Sequence, residues 1–292
     1  MSERSKDLIE SIKERGQTLE AEMSFFDHLE VLRWHLIRSA IAILVFTISA
    51  FVYYDFIFGT IIMGPKSPDF WTYRMMCKLT EQFNLGADFC IKEIPFNIIN
   101  TEMAGQFTLQ MNSSLLMGLV FGFPYLLWEI WRFVKPGLTE KESSSAAGFV
   151  FYATILFIIG LLFGYYIIAP LSVSFLANYT VSDVIENQIT IDSYLSTVGT
   201  LSIGTGITFE LPIIIYILSK LGIMTPAFMK ASRRYAVVII LIIAAVVTPT
   251  PDMLPMITIS FPLYLLYELS IVVSERVERR RKKKELEFYS AK

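Results

Sequence analysis

Long apolar runs separated by short polar stretches dominate the chain. The runs at Leu36–Phe58, Ala104–Leu127, Phe149–Leu176, Tyr194–Leu218, Tyr235–Val247 and Leu254–Val273 predict six membrane-crossing helices. The expected fold class is therefore all-α, an integral membrane protein. The last two spans are short. Tyr235–Val247 reaches only about 20 Å as a helix, against a hydrocarbon core of about 30 Å. Arg233-Arg234 fixes one end, and Thr248-Pro249-Thr250-Pro251-Asp252 breaks the other. The return span starts near Pro255, is interrupted by Pro262 and meets Glu268. Two adjacent short helices either thin the bilayer locally or are shielded by neighbours.

Composition supports this reading. Of 292 residues, 54% are hydrophobic and 18% charged, and the mean hydropathy is +0.53, outside the usual soluble balance. A net charge of −2 says little, but its distribution fixes orientation. With both termini cytoplasmic, only Lys66, Arg74, Lys78 and Lys92 of the 25 Lys and Arg lie outside, as the positive-inside rule asks. Three regions follow: a polar extension over 1–23, a membrane domain over 24–273 and a basic tail over 274–292. The extension lacks the apolar core of a cleavable signal and is expected to be disordered. The tail continues the last helix into the cytosol. Its run Arg279–Lys284 suits anionic lipid headgroups, chiefly as a topology anchor.

One ionisable side chain, Glu210, interrupts the fourth span, with Pro212 two residues on. A carboxyl at that depth costs about 2.5–3.5 kcal/mol on insertion scales, so it should face protein or a wet cavity. At 100° per residue, Gly206, Gly199 and Ser196 fall within about 40° of it, with Ile203 between, giving a small face that another helix can approach. Pro212 removes a backbone donor and should kink the helix. A protonated Glu210 used for packing alone is the plain alternative. An ion-coupled secondary transporter cycling protons on Glu210 is a functional one, although no internal repeat and no second carboxyl in the central spans accompany it.

The remaining features are smaller. The first outside loop, near Gly59–Met103, carries Trp71 and several Pro and Phe, enough apolar material for a small cap. Cys77 and Cys90 both lie there, where disulfides persist, but spacing leaves open whether they are bridged. The first inner loop runs from Glu129 to Glu142. Pro136-Gly137 ends one helix, and Thr139 with Glu142 forms a capping box for the next. Gly160 and Gly164 have the spacing of a close helix contact. Ser24–Arg33 reads as an interfacial amphipathic helix. His28 and His35 lack companion ligands, and no zinc, nucleotide or nucleic-acid motif appears, so no enzyme, metal or cofactor is expected.

Taken together, these elements resemble the TatC family, the polytopic receptor subunit of the twin-arginine protein translocase. The resemblance covers about 24–273. It rests on His28-Leu29 followed by Leu32-Arg33 and Leu36; Phe133-x-x-Pro136-Gly137-Leu138 followed by Glu142; Phe209-Glu210-x-Pro212; Thr248-Pro249 with Asp252; and Tyr267-Glu268. It implies a cup of six helices in the bacterial cytoplasmic membrane, with Glu210 on the concave face. It also implies a receptor for twin-arginine signal peptides of folded cargo, with single-span partners like TatA and TatB and assembly of several copies. Signal binding is then expected at Glu142 and Phe133, with Glu30 and Arg33 from the N-terminal motif. Pro136, Pro212, Pro249, Asp252 and Glu268 are expected to shape helix ends. The family usually has Glu directly before Leu32-Arg33, where this chain has Val31. Glu30 is adjacent but 100° around a helix, which ranks it below Glu142.

Overall fold

The computed structural model describes residues 25–83, 97–134, 146–182, 187–248 and 253–290. Helix dominates because an apolar chain in lipid must satisfy its backbone groups internally. The first helix, α1 (Phe25–Val52), precedes one outer helix, α2 (Trp71–Phe83), and the long α3 (Gly105–Val134). Next come α4 (Ala146–Phe163), a π-helical turn at Gly164–Ile168 and α5 (Ala169–Asn178), forming one continuous rod. The fourth span is split into α6 (Ile191–Thr208) and α7 (Leu211–Lys220). The short α8 (Pro226–Ala231) leads to α9 (Arg233–Val247) and α10 (Met253–Ser290).

Among the described residues, five helical stretches are long and apolar enough to cross a bilayer: Glu30–Val52, Gly105–Val134, Gly148–Asn178, Ile191–Lys220 and Pro255–Lys283. The 15-residue α9 supplies the remaining crossing. At 1.5 Å per residue it reaches about 22 Å, as short as its sequence requires. The final helix does not stop at Pro262. It absorbs that proline and runs 38 residues in all, so its apolar first half leads directly into the charged tail. The expected break is a local defect, because the helix is held on both sides: Ile259 is fully buried before the proline, and after it Tyr267 donates to the Met229 carbonyl (2.9 Å) and Ser274 bonds Ser219 side chain to side chain (2.8 Å).

Glycines set the closest approaches. A Cβ on Gly118 would lie 2.8 Å from the Thr47 backbone nitrogen, and one on Gly122 would lie 2.8 Å from Ile43. These two residues have the same four-residue spacing as Gly160 and Gly164, and they seat α3 against α1. The Gly160–Gly164 pair does the same between the α4 rod and α6. A Cβ on Gly164 would meet the Leu201 carbonyl at 2.7 Å, and Gly160 faces Phe209 and Gly206.

The expected outer cap is present. Tyr73 is fully buried beneath it, its hydroxyl 2.8 Å from the Pro65 carbonyl and 3.1 Å from that of Pro170. Burial pushes this phenol up from its ordinary range, so it remains a donor at any physiological pH. Tyr165 and Tyr194 donate to the carbonyls of Ile61 (2.6 Å) and Ile62 (2.9 Å), and Thr72 donates to the Tyr166 carbonyl. Two short strands, β1 (Asn97–Ile99) and β2 (Gln188–Thr190), pair in parallel with Ile98 opposite Ile189, joining the two outer loops. Cys77 is disulfide-bonded. Cys90, the chain's other cysteine, lies outside the described residues, as does the extension over 1–23.

Candidate functional site

Glu210 sits where the fourth span breaks. Pro212 has no N–H to offer the Thr208 carbonyl, so α6 ends at Thr208 and α7 begins at Leu211. Phe209 and Glu210 form a tight turn, with the Glu210 N–H bonded to the Ile207 carbonyl (3.1 Å). The Glu210 side chain is 5% exposed, and neither carboxylate oxygen has a well-formed hydrogen bond, although the Phe157 backbone is close by. Its neighbourhood is aromatic: Phe157 stacks on Phe123 at 3.6 Å, and Phe163 lies against Phe209 at 5.7 Å. The face predicted to carry Glu210 is only partly free. Gly206 is occupied by Phe157 and Leu161, whereas Gly199 and Ile203 line an apolar cavity of about 310 Å³ with Leu116, Met117 and Ser202.

A second polar constellation lies at the inner ends of α1 and α3. Glu129 is 1% exposed. One oxygen accepts from the Tyr125 hydroxyl (2.8 Å) and lies 3.6 Å from Arg132; the other is held by His35 Nδ1. The His35 ring in turn meets Phe133 edge-on at 6.3 Å. Burial of a carboxylate is costly unless it is paired and hydrogen-bonded, and His35, Tyr125 and Arg132 meet that demand.

Sequence reasoning missed this cluster because it ended the second span at Leu127 and placed Glu129 in the loop. The helix runs to Val134, with Trp131 buried and stacked on Phe149 at 4.2 Å and Glu129 buried one turn from Leu126 on the same helix. A usable signal was present: His35 and Glu129 are each isolated polar residues at the inner edge of an apolar run.

The other predicted residues fall as follows. Glu30 and Arg33 are a loose exposed pair at 3.8 Å, with side chains more than 60% exposed. Phe133 belongs to the Glu129 cluster through His35. Glu268 binds Arg233 (2.8 Å) and accepts from Tyr264 (3.2 Å), fastening α9 to α10. Glu142, Pro136, Pro249 and Asp252, together with the Thr139–Glu142 capping box, lie outside the described residues.

The chain is matched among known proteins over most of its length. The family model described as Sec-independent protein translocase protein (TatC) matches residues 27–262. The chain belongs to the TatC family. A Sec-independent protein translocase protein TatC from Blattabacterium is 35% identical over 89% of this chain and 98% of its own length. One from Deinococcus radiodurans is 35% identical over 87% and 86%. A crystal structure of the twin arginine translocase receptor TatC superposes with a TM-score of 0.62 at 27% identity, covering 86% of this chain and 99% of that one. A second, in the detergent DDM, gives 0.65 at 29% identity, covering 85% and 99%. The chain is thus a multi-pass protein of the bacterial cytoplasmic membrane in a protein-transport family. Nothing in these matches favours the ion-coupled transporter reading of Glu210.

Proposed function

We propose that this chain is the signal-peptide receptor and core membrane component of a twin-arginine translocase, exporting folded proteins without bond chemistry of its own. The observation that carries the reading is the inner rim. There the buried His35–Glu129–Tyr125 cluster fixes Phe133 at the end of α3, immediately before the loop that bears Glu142. Glu129 is already committed to His35, Tyr125 and Arg132, so arriving guanidinium groups must be met by other acids. Glu142 on the loop and the exposed Glu30 are those acids, through charge-assisted and bidentate hydrogen bonds. Arg33, weakly held by Glu30 at 3.8 Å, yields that carboxylate to the signal at little cost. Glu30 therefore compensates for Val31. The apolar part of the signal then follows the helix faces toward Glu210, and single-span partners resembling TatA and TatB complete the complex, which holds several copies of this chain.

Photocrosslinking from the first inner loop tests this. A twin-arginine signal peptide should crosslink strongly and a twin-lysine peptide weakly. Glu142→Ala should reduce the arginine-dependent yield while the protein still inserts. Equal yields from the two peptides would remove the receptor role.

A further inference from the structure

The outer helix α2 has an unusual arrangement of faces. Its buried side is polar or aromatic, with Thr72, Tyr73 and Thr80 packed inward. Its large apolar side chains face outward: Trp71 is 52% exposed, Met75 42%, Leu79 40% and Phe83 64%. At 100° per residue, Trp71, Arg74, Met75 and Lys78 share an arc of about 100°. An exposed face of one tryptophan, one methionine and two cations, on a helix flanking a membrane bundle, has the composition of an interfacial segment.

The same face is continuous with the lipid-facing surface of the α4 rod. Trp71 meets Tyr166 edge-on at 6.1 Å, and between them opens a cleft of about 510 Å³ lined by Trp71, Leu162, Phe163, Tyr166 and Ile167. Tyr166 and Ile167 belong to the π-helical turn, the kind of local widening that recurs at functional sites. Along the same rod Ile158 and Ile159 are exposed beside Leu162, an apolar surface of the kind that acyl chains cover. On the face of α2 that carries Trp71 stand Arg74 and Lys78, both exposed. Among the described residues neither makes an ion pair, although Asp69 and Glu81 are on the same segment.

We propose that this cleft binds one anionic glycerophospholipid of the outer leaflet. An acyl chain lies against Leu162, Phe163 and Ile167, Trp71 sits at the level of the glycerol backbone, and Arg74 and Lys78 meet the headgroup phosphate. The lipid thereby fastens the cap to the bilayer on the flank where α2 turns Trp71, Arg74, Met75 and Lys78 outward. This site is separate from the basic tail and from the inner rim, and it stands whether or not the receptor reading holds.

The test places a photoreactive benzoylphenylalanine at Met75 in the full-length protein. The protein is reconstituted in phosphatidylethanolamine vesicles containing either phosphatidylglycerol or phosphatidylcholine. Illumination followed by mass spectrometry should give a phosphatidylglycerol adduct exceeding the phosphatidylcholine adduct by about five-fold or more, since each cation near an anionic lipid contributes about that factor. Arg74→Gln with Lys78→Gln should bring the two yields together without changing the melting temperature, because both side chains are exposed. Equal lipid adducts in the unmodified background, an adduct to protein, or no lipid adduct would each overturn the proposal.

Discussion

Glu129 and Glu210 show how two buried acids in one protein come to different ends. Glu129 is satisfied three times over, whereas Glu210 has no well-formed hydrogen bond. The first is therefore built into the scaffold, and the second is buried with both carboxylate oxygens left without a well-formed partner. Removing one member of a buried pair costs about 3–5 kcal/mol, because the other is left uncompensated. Glu129→Ala and His35→Ala should each lower the melting temperature in detergent strongly, and the double variant should lose much less than the two single losses added. Additive losses would show that the two side chains do not act as a unit. The Glu210 carboxyl was legible in the sequence because it stands alone in an apolar run. The His35–Glu129 pair was not, because its members are 94 positions apart and only the packing of α1 on α3 brings them together.

At the scale of elements, small residues decide which helices touch. The Gly160–Gly164 spacing was readable in advance, but spacing alone does not say which helix is received. The structure assigns it to Leu201, Gly206 and Phe209 of the fourth span, and it adds a second pair, Gly118 and Gly122, against α1. A methyl group at Gly118 or Gly164 would press on backbone atoms that cannot rotate away. Gly118→Ala and Gly164→Ala should each cost about 1–3 kcal/mol, the usual range for overpacking. Gly148→Ala, which meets nothing within 4 Å, should be neutral or slightly stabilising. Thermal unfolding of the three purified variants compares them directly. The irregularity expected from Pro212 is a two-residue turn with Glu210 at its corner, after which the helix resumes within the same span, because the proline removes one donor from the preceding turn. Pro262, with the same chemistry, only interrupts one bond within α10, since Ser219, Met229 and Arg233 hold that helix from outside.

For the whole molecule, the short α9 is the feature with the widest consequence. A helix of about 22 Å beside a core of about 30 Å leaves a mismatch that costs a fraction of a kcal/mol per Å. Protein reconstituted in lipids of increasing acyl-chain length should lose thermal stability steadily, by several degrees from the thinnest to the thickest bilayer. A flat response would mean that neighbouring helices shield α9 completely. On the outer side, Tyr73, Tyr165 and Tyr194 tie the outer segment to the α4–α5 rod and α6.

The sequence by itself determined the spans, their orientation and the position of the helix break, because these follow from local hydropathy, charge asymmetry and the missing proline donor. It also placed the family motifs in order. Tertiary structure decided which polar groups are satisfied, which glycine pair receives which helix, and that α2 turns its apolar side outward. Those outcomes depend on contacts between residues far apart in the chain, where the energy of burial is set by the neighbour met and not by the residue alone.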